Sequence, residues 1–240
     1  MIPKIIHYCW FGGKPIPSLE KKCMSSWSRV LPDYKVIRWD ESTFDVNSNP
    51  FTAAAYNAKK YAFVADYVRL YALHMYGGVY LDTDIEVVKP FDGLLQYEAF
   101  GGFETKDVMQ TGVLGMTLEN IIFKEFFDVY QHLDFELKDN GEVATKANSH
   151  ILAGILSSHG MKFDNSRQTI CGMELFPQEY FCPINQATRE IVVTENTYCI
   201  HYLSGSWYPW KLRAYNKLKR LIGAVFGFRT ISFIRRIIRE

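Results

Sequence analysis

Apolar and polar positions alternate loosely from Lys4 to Trp10, which predicts a strand ending at Gly12-Gly13. Pro17-Ser18-Leu19-Glu20 has the form of a helix start, and the pattern runs on to about Arg29. Tyr34 to Trp39 reads as a second strand closed by Asp40. Strand, helix, strand is the opening of a parallel α/β layer. Asn49-Pro50 opens another helical stretch. From Tyr61 to Met75, apolar residues at Phe63, Val64, Val68, Tyr71, Ala72 and Met75 keep a helical period until Gly77-Gly78 stops it. Val79 to Leu81 is a short core strand, and Ile85 to Val88 another, halted by Pro90. Strands are predicted at Phe100–Phe103 and Thr111–Met116, and helices at Asn120–His132 and Thr145–Ser158. Met161 to Leu175 is mixed and takes no assignment, and Tyr198 to Tyr202 is a late strand.

A chain of 240 residues with 48% apolar content suits one generous domain. The five cysteines (Cys9, Cys23, Cys171, Cys182, Cys199) form no CxxC pair, which argues against a disulfide framework or structural zinc and for a reducing compartment. The first residues lack a long apolar segment, so no secretory signal is expected. No run of 18 uncharged apolar residues predicts a spanning helix. The expected location is cytoplasmic, peripheral at the inner face of the plasma membrane.

The membrane part of that expectation comes from charge. Net charge is only +1, yet residues 211–240 hold nine Lys/Arg and the single acid Glu240. Apolar residues (Leu218, Leu221, Ile222, Val225, Phe226, Ile231, Ile234, Ile237, Ile238) are spaced between the basic ones, with a break near Gly227. This predicts a basic amphipathic helical tail following a domain of residues 1–210, suited to an anionic membrane surface. A helix packed on the domain with a basic outer face fits the pattern equally. Nothing else in the chain points to nucleic acid.

Candidate chemistry centres on Tyr80-Leu81-Asp82-Thr83-Asp84. A buried strand that stops on Asp-x-Asp points oxygen ligands out of its carboxyl end, where open α/β sheets bind ligands. Closely spaced carboxylates suit Mg²⁺ or Mn²⁺. A bare Asp-x-Asp is also what a solvated loop presents. Asp66 and Arg69 share one face of the helix before the motif, either as a local ion pair or as partners for a ribose and a phosphate. Trp10, at the carboxyl end of the first strand, offers a face to a nucleobase or closes the edge of the core. His201 ends the late strand, ahead of Ser204, Ser206 and Trp207, and its imidazole could complete a site begun by the two aspartates. Gln110-Thr111-Gly112 is read as a loop facing a sugar. Phe11-Gly12-Gly13-Lys14-Pro15 is neither a Walker loop nor GxGxxG, and the chain contains no GxSxG or HExxH.

Three blocks together resemble a known family: Ile2 to Gly12, Ala65-Asp66-Tyr67-Val68-Arg69 with Gly77 to Asp84, and His201 with Gly205-Ser206-Trp207. They look like the DXD sugar-binding-region glycosyltransferases, which include a fungal Golgi initiating mannosyltransferase and bacterial capsule and lipopolysaccharide enzymes. A more distant likeness is to clostridial toxin glucosyltransferase domains. The resemblance implies a GT-A fold, a single Rossmann-like mixed sheet flanked by helices. It implies a Mn²⁺- or Mg²⁺-dependent, retaining transfer from a nucleotide sugar, with UDP favoured, to a glycan or lipid-linked oligosaccharide acceptor of cell-surface polysaccharide synthesis. It assigns Trp10 to the base. Asp66 and Arg69 go to the ribose, sugar or diphosphate, and Tyr80 and Asp82 to the ribose and donor sugar. Asp82, Asp84 and His201 go to the metal, with Ser206 as the alternative to His201, and Trp207 to the diphosphate. The catalytic set is Asp82, Asp84, Arg69 and Asp66. Where the toxins carry serine before the helix aspartate, this chain has Ala65, so that contact is not implied. Two other readings stay open. A sugar nucleotidyltransferase would need a basic Gly-rich loop that Gly12-Gly13-Lys14 matches poorly. A non-catalytic glycan- or membrane-binding protein would ignore metal and nucleotide.

Overall fold

A computed structural model describes residues 1–205 apart from 186, 187 and 189. Ser206, Trp207 and the basic tail 211–240 therefore lie outside the described residues. The chain begins β1 (Ile5–Cys9), α1 (Ser18–Val30), β2 (Lys35–Trp39), α2 (Pro50–Asn57), α3 (Tyr61–Tyr76), β3 (Gly78–Leu81) and β4 (Ile85–Val87). It continues with β5 (Ala99–Thr105), β6 (Val108–Met109), β7 (Val113–Met116), α4 (Ile121–Gln131), α5 (Asn148–Ser158), β8 (Gln168–Ile170), β9 (Met173–Phe176), α6 (Gln178–Phe181) and β10 (Cys199–His201).

The main sheet is mixed, in the order β2-β1-β3-β7-β5-β9-β8, with β6 hairpinned on β5. The expected parallel opening is present: β1 runs parallel to both β2 and β3. β7 turns antiparallel to β3 and β5, and β9 returns parallel to β5. Alternation in the central strands sends side chains to two buried faces. Val79 and Leu81 pack with Trp27, Phe91, Phe100 and Phe181 on one side, and Tyr80 and Leu114 with α2–α5 on the other.

β4 does not join this sheet. It pairs antiparallel with β10 as a separate ribbon, with His201 opposite Ile85. Helix α1 holds β4 through polar side chains: Trp27 Nε1 donates to the Ile85 carbonyl (2.7 Å) and Val87 N–H donates to Ser26 Oγ (2.8 Å). The Asp-x-Asp segment thus spans from the large sheet to the small ribbon.

Helix α2 is started as its sequence predicts. Asn49 Oδ1 accepts from Phe51 N–H, and Pro50 occupies the first turn, where its missing donor costs nothing. Helix α3 is buried over most of its surface and ends at Gly77 (φ 61°) and Gly78 (φ 101°). A Cβ on Gly78 would come within 2.7 Å of the Ile5 carbonyl oxygen. The Gly-Gly pair therefore both ends the helix and lets β3 lie close against β1.

His7, buried in β1, donates from Nε2 to the Gly77 carbonyl (2.9 Å) and accepts at Nδ1 from Trp39 Nε1 (3.1 Å). These partners require the neutral ring. Burial depresses its pKa from 6.5 to about 4, the Gly77 contact offsetting part of that effect. The unfolded chain takes up this proton first, so His7 costs folding stability as pH falls from about 6.5 to about 4. The loss should approach about 3 kcal/mol. A His7→Gln variant, whose amide can keep both hydrogen bonds without titrating, should lose less stability than the parent between pH 7 and pH 4 in urea melts. Parallel pH curves for the two proteins would show that His7 does not set this pH dependence.

Candidate active site

The site is assembled by register. Leu81 pairs with Val113, so the next residues, Asp82 and Gly112, face each other across β3 and β7. Asp82 N–H donates to the Gly112 carbonyl (2.8 Å). A Cβ on Gly112 would lie 2.9 Å from Asp82 Oδ2, 2.9 Å from His201 Cε1 and 3.2 Å from His201 Nδ1. Gly112 thus leaves open the space that these two residues share.

The ribbon closes the site from the other side. Beyond His201 the chain wraps over Asp84: Tyr202 N–H donates to the Asp84 carbonyl (3.1 Å) and Ser204 N–H to Asp84 Oδ2 (2.7 Å). His201 Nε2 lies 3.4 Å from Asp84 Oδ1. Both side chains are buried, and His201 Nδ1 has no hydrogen-bond partner. Burial by itself would raise the Asp84 pKa, but His201 and the Ser204 N–H overcome it and hold the carboxyl well below the usual range. Burial likewise lowers the His201 pKa, and the Asp84 charge more than offsets this, lifting it to about 9.

One ligand atom from each of Asp82, Asp84 and His201 lies within 4.8 Å of the others. Two carboxylates, a buried imidazole nitrogen lacking a partner and a gap kept clear of a Cβ together fit a divalent cation. The expected convergence of these three residues is therefore present in the geometry, although Asp82 and Asp84 lie more than a hundred residues from His201.

Arg69 stands behind Asp82. It is 5% exposed, and its guanidinium meets Asp66 Oδ1 (2.9 Å), Asp82 Oδ1 (3.4 Å) and the Thr111 carbonyl (2.6 Å). It also lies over the Tyr80 ring, 4.6 Å from the centroid. Asp66 and Arg69 do form a local ion pair, but a buried one joined to the Asp-x-Asp motif. Burial raises the Asp66 pKa to about 7 against the opposing pull of Arg69.

Tyr80, expected to touch the donor, is only 1% exposed and donates its hydroxyl to Asp82 Oδ1 (3.0 Å). Both faces of β3 are buried, and the Tyr80 ring packs in the core on the side of α3, behind the carboxylate. Trp10 follows β1, and the pairing of His7 with Tyr80 carries it to the same sheet edge as Asp82. Its indole N–H donates to the Lys14 carbonyl (2.6 Å).

Several contributors carried no sequence signal of their own. The Thr111 carbonyl and the Ser204 N–H act through the backbone. Gly112 was seen only as part of a loop. Asn148, at the start of α5, donates to the Asp66 carbonyl (3.2 Å), and its Oδ1 is buried without a partner. Gln110, in the segment read as facing a sugar, is 1% exposed, and neither side-chain polar atom has a partner.

With this geometry in place, three comparisons bear on the chain. Residues 17–101 match the family described as glycosyltransferase sugar-binding region containing DXD motif. That span contains Asp66, Arg69, Asp82 and Asp84 but neither Trp10 nor His201. Inositol phosphoceramide mannosyltransferase 3 of Schizosaccharomyces pombe is 34% identical over 118 residues, 48% of this chain and 33% of that protein. Mannosyl phosphorylinositol ceramide synthase SUR1 of Saccharomyces cerevisiae is 30% identical over 138 residues, 56% of this chain and 36% of that one. The chain thus spans about a third of the length of these curated relatives. Among solved structures, the PaToxG glycosyltransferase superposes with a TM-score of 0.50 at 19% identity, covering 65% of this chain and 68% of that one, a likeness of fold. A mixed sheet of GT-A type with a DXD segment at its carboxyl edge accords with the match of residues 17–101 to the glycosyltransferase sugar-binding region, which this part of the chain resembles.

Proposed function

We propose that the protein transfers a hexosyl group from a nucleoside diphosphate sugar to an acceptor hydroxyl, with Mn²⁺ or Mg²⁺ held by Asp82, Asp84 and His201. The observation that carries this reading is the buried, partnerless His201 Nδ1 facing the gap at Gly112 that it shares with Asp82. A bound cation would offset the charge that develops on the departing diphosphate.

The chain's own residues supply placement and electrostatics. Ser204 N–H fixes the rotamer of Asp84, and Tyr80 and Arg69 fix Asp82. Arg69 is a guanidinium held against both Asp66 and Asp82, and we assign it, with Asp66, to the ribose, sugar or diphosphate of the donor. Trp10 is assigned to the base, Ser206 to the metal as the alternative to His201, and Trp207 to the diphosphate. Tyr80 serves as a positioning residue for Asp82. Gln110 and Asn148, each with buried polar atoms left unpaired, are assigned to the sugar hydroxyls, because leaving such groups unmatched is costly.

UDP remains the donor favoured by the toxin-like residues, and transfer with retention is the outcome we adopt. The names of the curated relatives support a second donor, a mannosyl nucleotide, and an inositol-phosphate lipid as acceptor. Either acceptor class, that one or a lipid-linked oligosaccharide of a surface polysaccharide, would meet the protein at a membrane. The nine basic residues of 211–240 favour such a setting. No helix among the described residues is long and apolar enough to cross a membrane.

The test is a panel of UDP- and GDP-sugars incubated with the protein and Mn²⁺, scored for slow donor hydrolysis. One donor should be hydrolysed in a metal-dependent way. Pyrophosphate exchange with a nucleoside triphosphate would instead indicate a nucleotidyltransferase, and binding indifferent to metal and nucleotide would indicate a non-catalytic binder. Within the same assay, Gly112→Ala should lower hydrolysis about a hundredfold while leaving the thermal melt near the parent's, because the added methyl occupies the shared gap. Parent-level hydrolysis by that variant would show that the gap holds nothing essential.

A further inference from the structure

A second constellation sits at the far end of the sheet. β9 runs in the same direction as β3, since β3, β7 and β5 alternate and β9 is parallel to β5. Asp82 follows β3, whereas Cys171 precedes β9, so the two lie on opposite edges. Cys171 and Gly172 form the two-residue turn between β8 and β9, with φ of 45° and 79°. Positive φ at both positions is the signature of a tight hairpin turn that favours Asn-Gly. Here a cysteine occupies the first position, and Asn120 Nδ2 donates to its carbonyl (3.0 Å).

Two helices converge on this turn. Cys171 Sγ lies 3.5 Å from His159 Nδ1, at the carboxyl end of α5. His159 Nε2 lies 3.0 Å from each carboxylate oxygen of Glu125, on α4. With Nε2 donating to Glu125, Nδ1 carries the lone pair that faces the thiol. A nucleophile within reach of a base, itself oriented by a third group, is the general arrangement of covalent catalysis. Cys171 is exposed, while Cys9, Cys23, Cys182 and Cys199 are buried.

We propose that Cys171, His159 and Glu125 form a base-assisted thiol site that exchanges with small disulfides, making Cys171 a site of reversible mixed-disulfide modification. In the reaction, Cys171 Sγ bonds to one sulfur of the incoming disulfide as its S–S bond breaks, and the other sulfur departs as a thiolate. The thiol proton passes to His159 Nδ1 and from there to the departing thiolate. The carboxylate of Glu125 balances the charge on the ring while it holds that proton. The disulfide is the only oxidant consumed. This site is independent of the sugar-transfer reading.

The experiment uses the full chain and dithiodipyridine at neutral pH, followed by absorbance of the released thiopyridone. One thiol per chain should react fast, and Cys171→Ser should abolish that phase. His159→Ala should slow it about tenfold, and added imidazole should restore much of the loss. Glu125→Gln should fall between the two. Both changes lie on partly exposed side chains, so the fold should persist, as a thermal melt will register. The proposal is overturned if His159→Ala reacts at the parent's rate, or if it is slow and imidazole leaves it so.

Discussion

Replacing Asp84 with alanine should lower donor hydrolysis and transfer at least about a hundredfold, a loss of several kcal/mol of barrier stabilisation. The magnitude follows from where the carboxylate sits. It is buried, it is oriented by Ser204 N–H, and it shares the proposed cation site with His201 and Asp82. An exposed carboxylate could be replaced by water with little cost; this one cannot be, because the ribbon of β4 and β10 covers it. Asp84→Asn sharpens the test. The amide keeps the volume and an oxygen for Ser204, so any remaining loss reports charge rather than packing. Turnover by the alanine variant at the parent's level would refute the assignment.

The second large effect is on stability as well as activity. Arg69→Met removes a buried guanidinium and leaves the partly buried Asp66 and Asp82 without their shared partner. Removing one partner of a buried ion pair costs about 3–5 kcal/mol. The deficit should be largest near neutral pH or above. It should shrink toward pH 5, where Asp66, already lifted to about 7 by burial, takes a proton and loses the charge that Arg69 had balanced. Urea melts of parent and variant at pH 8 and pH 5 measure this directly. Arg69→Lys should rescue little, because an ammonium cannot contact Asp66, Asp82 and the Thr111 carbonyl while lying flat on Tyr80. Equal deficits at both pH values would mean that packing, not charge, explains the loss.

Much of the centre of this fold was legible in the chain. The helical period of Tyr61–Met75, the Gly-Gly stop and the short apolar strand ending on Asp82 are local signals, and each matched the observed element within a residue or two. What failed locally had specific causes. The β8–β9 hairpin turns on Cys171-Gly172 in place of the usual Asn-Gly, so no turn marker divided Met161–Leu175. Helix α5 starts at Asn148 rather than near Thr145, because Thr145 Oγ1 accepts from Glu136 N–H and ties that segment to the preceding loop. β6, two residues long, is too short to leave a period.

The site was legible in part. Asp82, Asp84, Asp66 and Arg69 lie close enough in sequence for spacing to suggest a shared locus. His201 does not, and only the family resemblance tied it to the aspartates. Its approach depends on β10 pairing with β4 outside the main sheet, an arrangement that no local pattern encodes. Gly112 was invisible as a cradle because its role requires the β3–β7 register. The motif places Tyr80 beside Asp82, but both faces of β3 are buried, so its ring packs in the core and only its hydroxyl reaches the carboxylate.

In the proposed mechanism, Asp82, Asp84 and His201 hold a cation against a nucleotide's diphosphate. Crystals grown with Mn²⁺ and UDP, with GDP as the parallel case, would be measured at a wavelength where manganese scatters anomalously. One strong peak should lie among the ligand atoms of these residues, with the diphosphate beside it and the base near Trp10. A nucleotide bound elsewhere, or manganese bound away from Asp84 and His201, would contradict this mechanism.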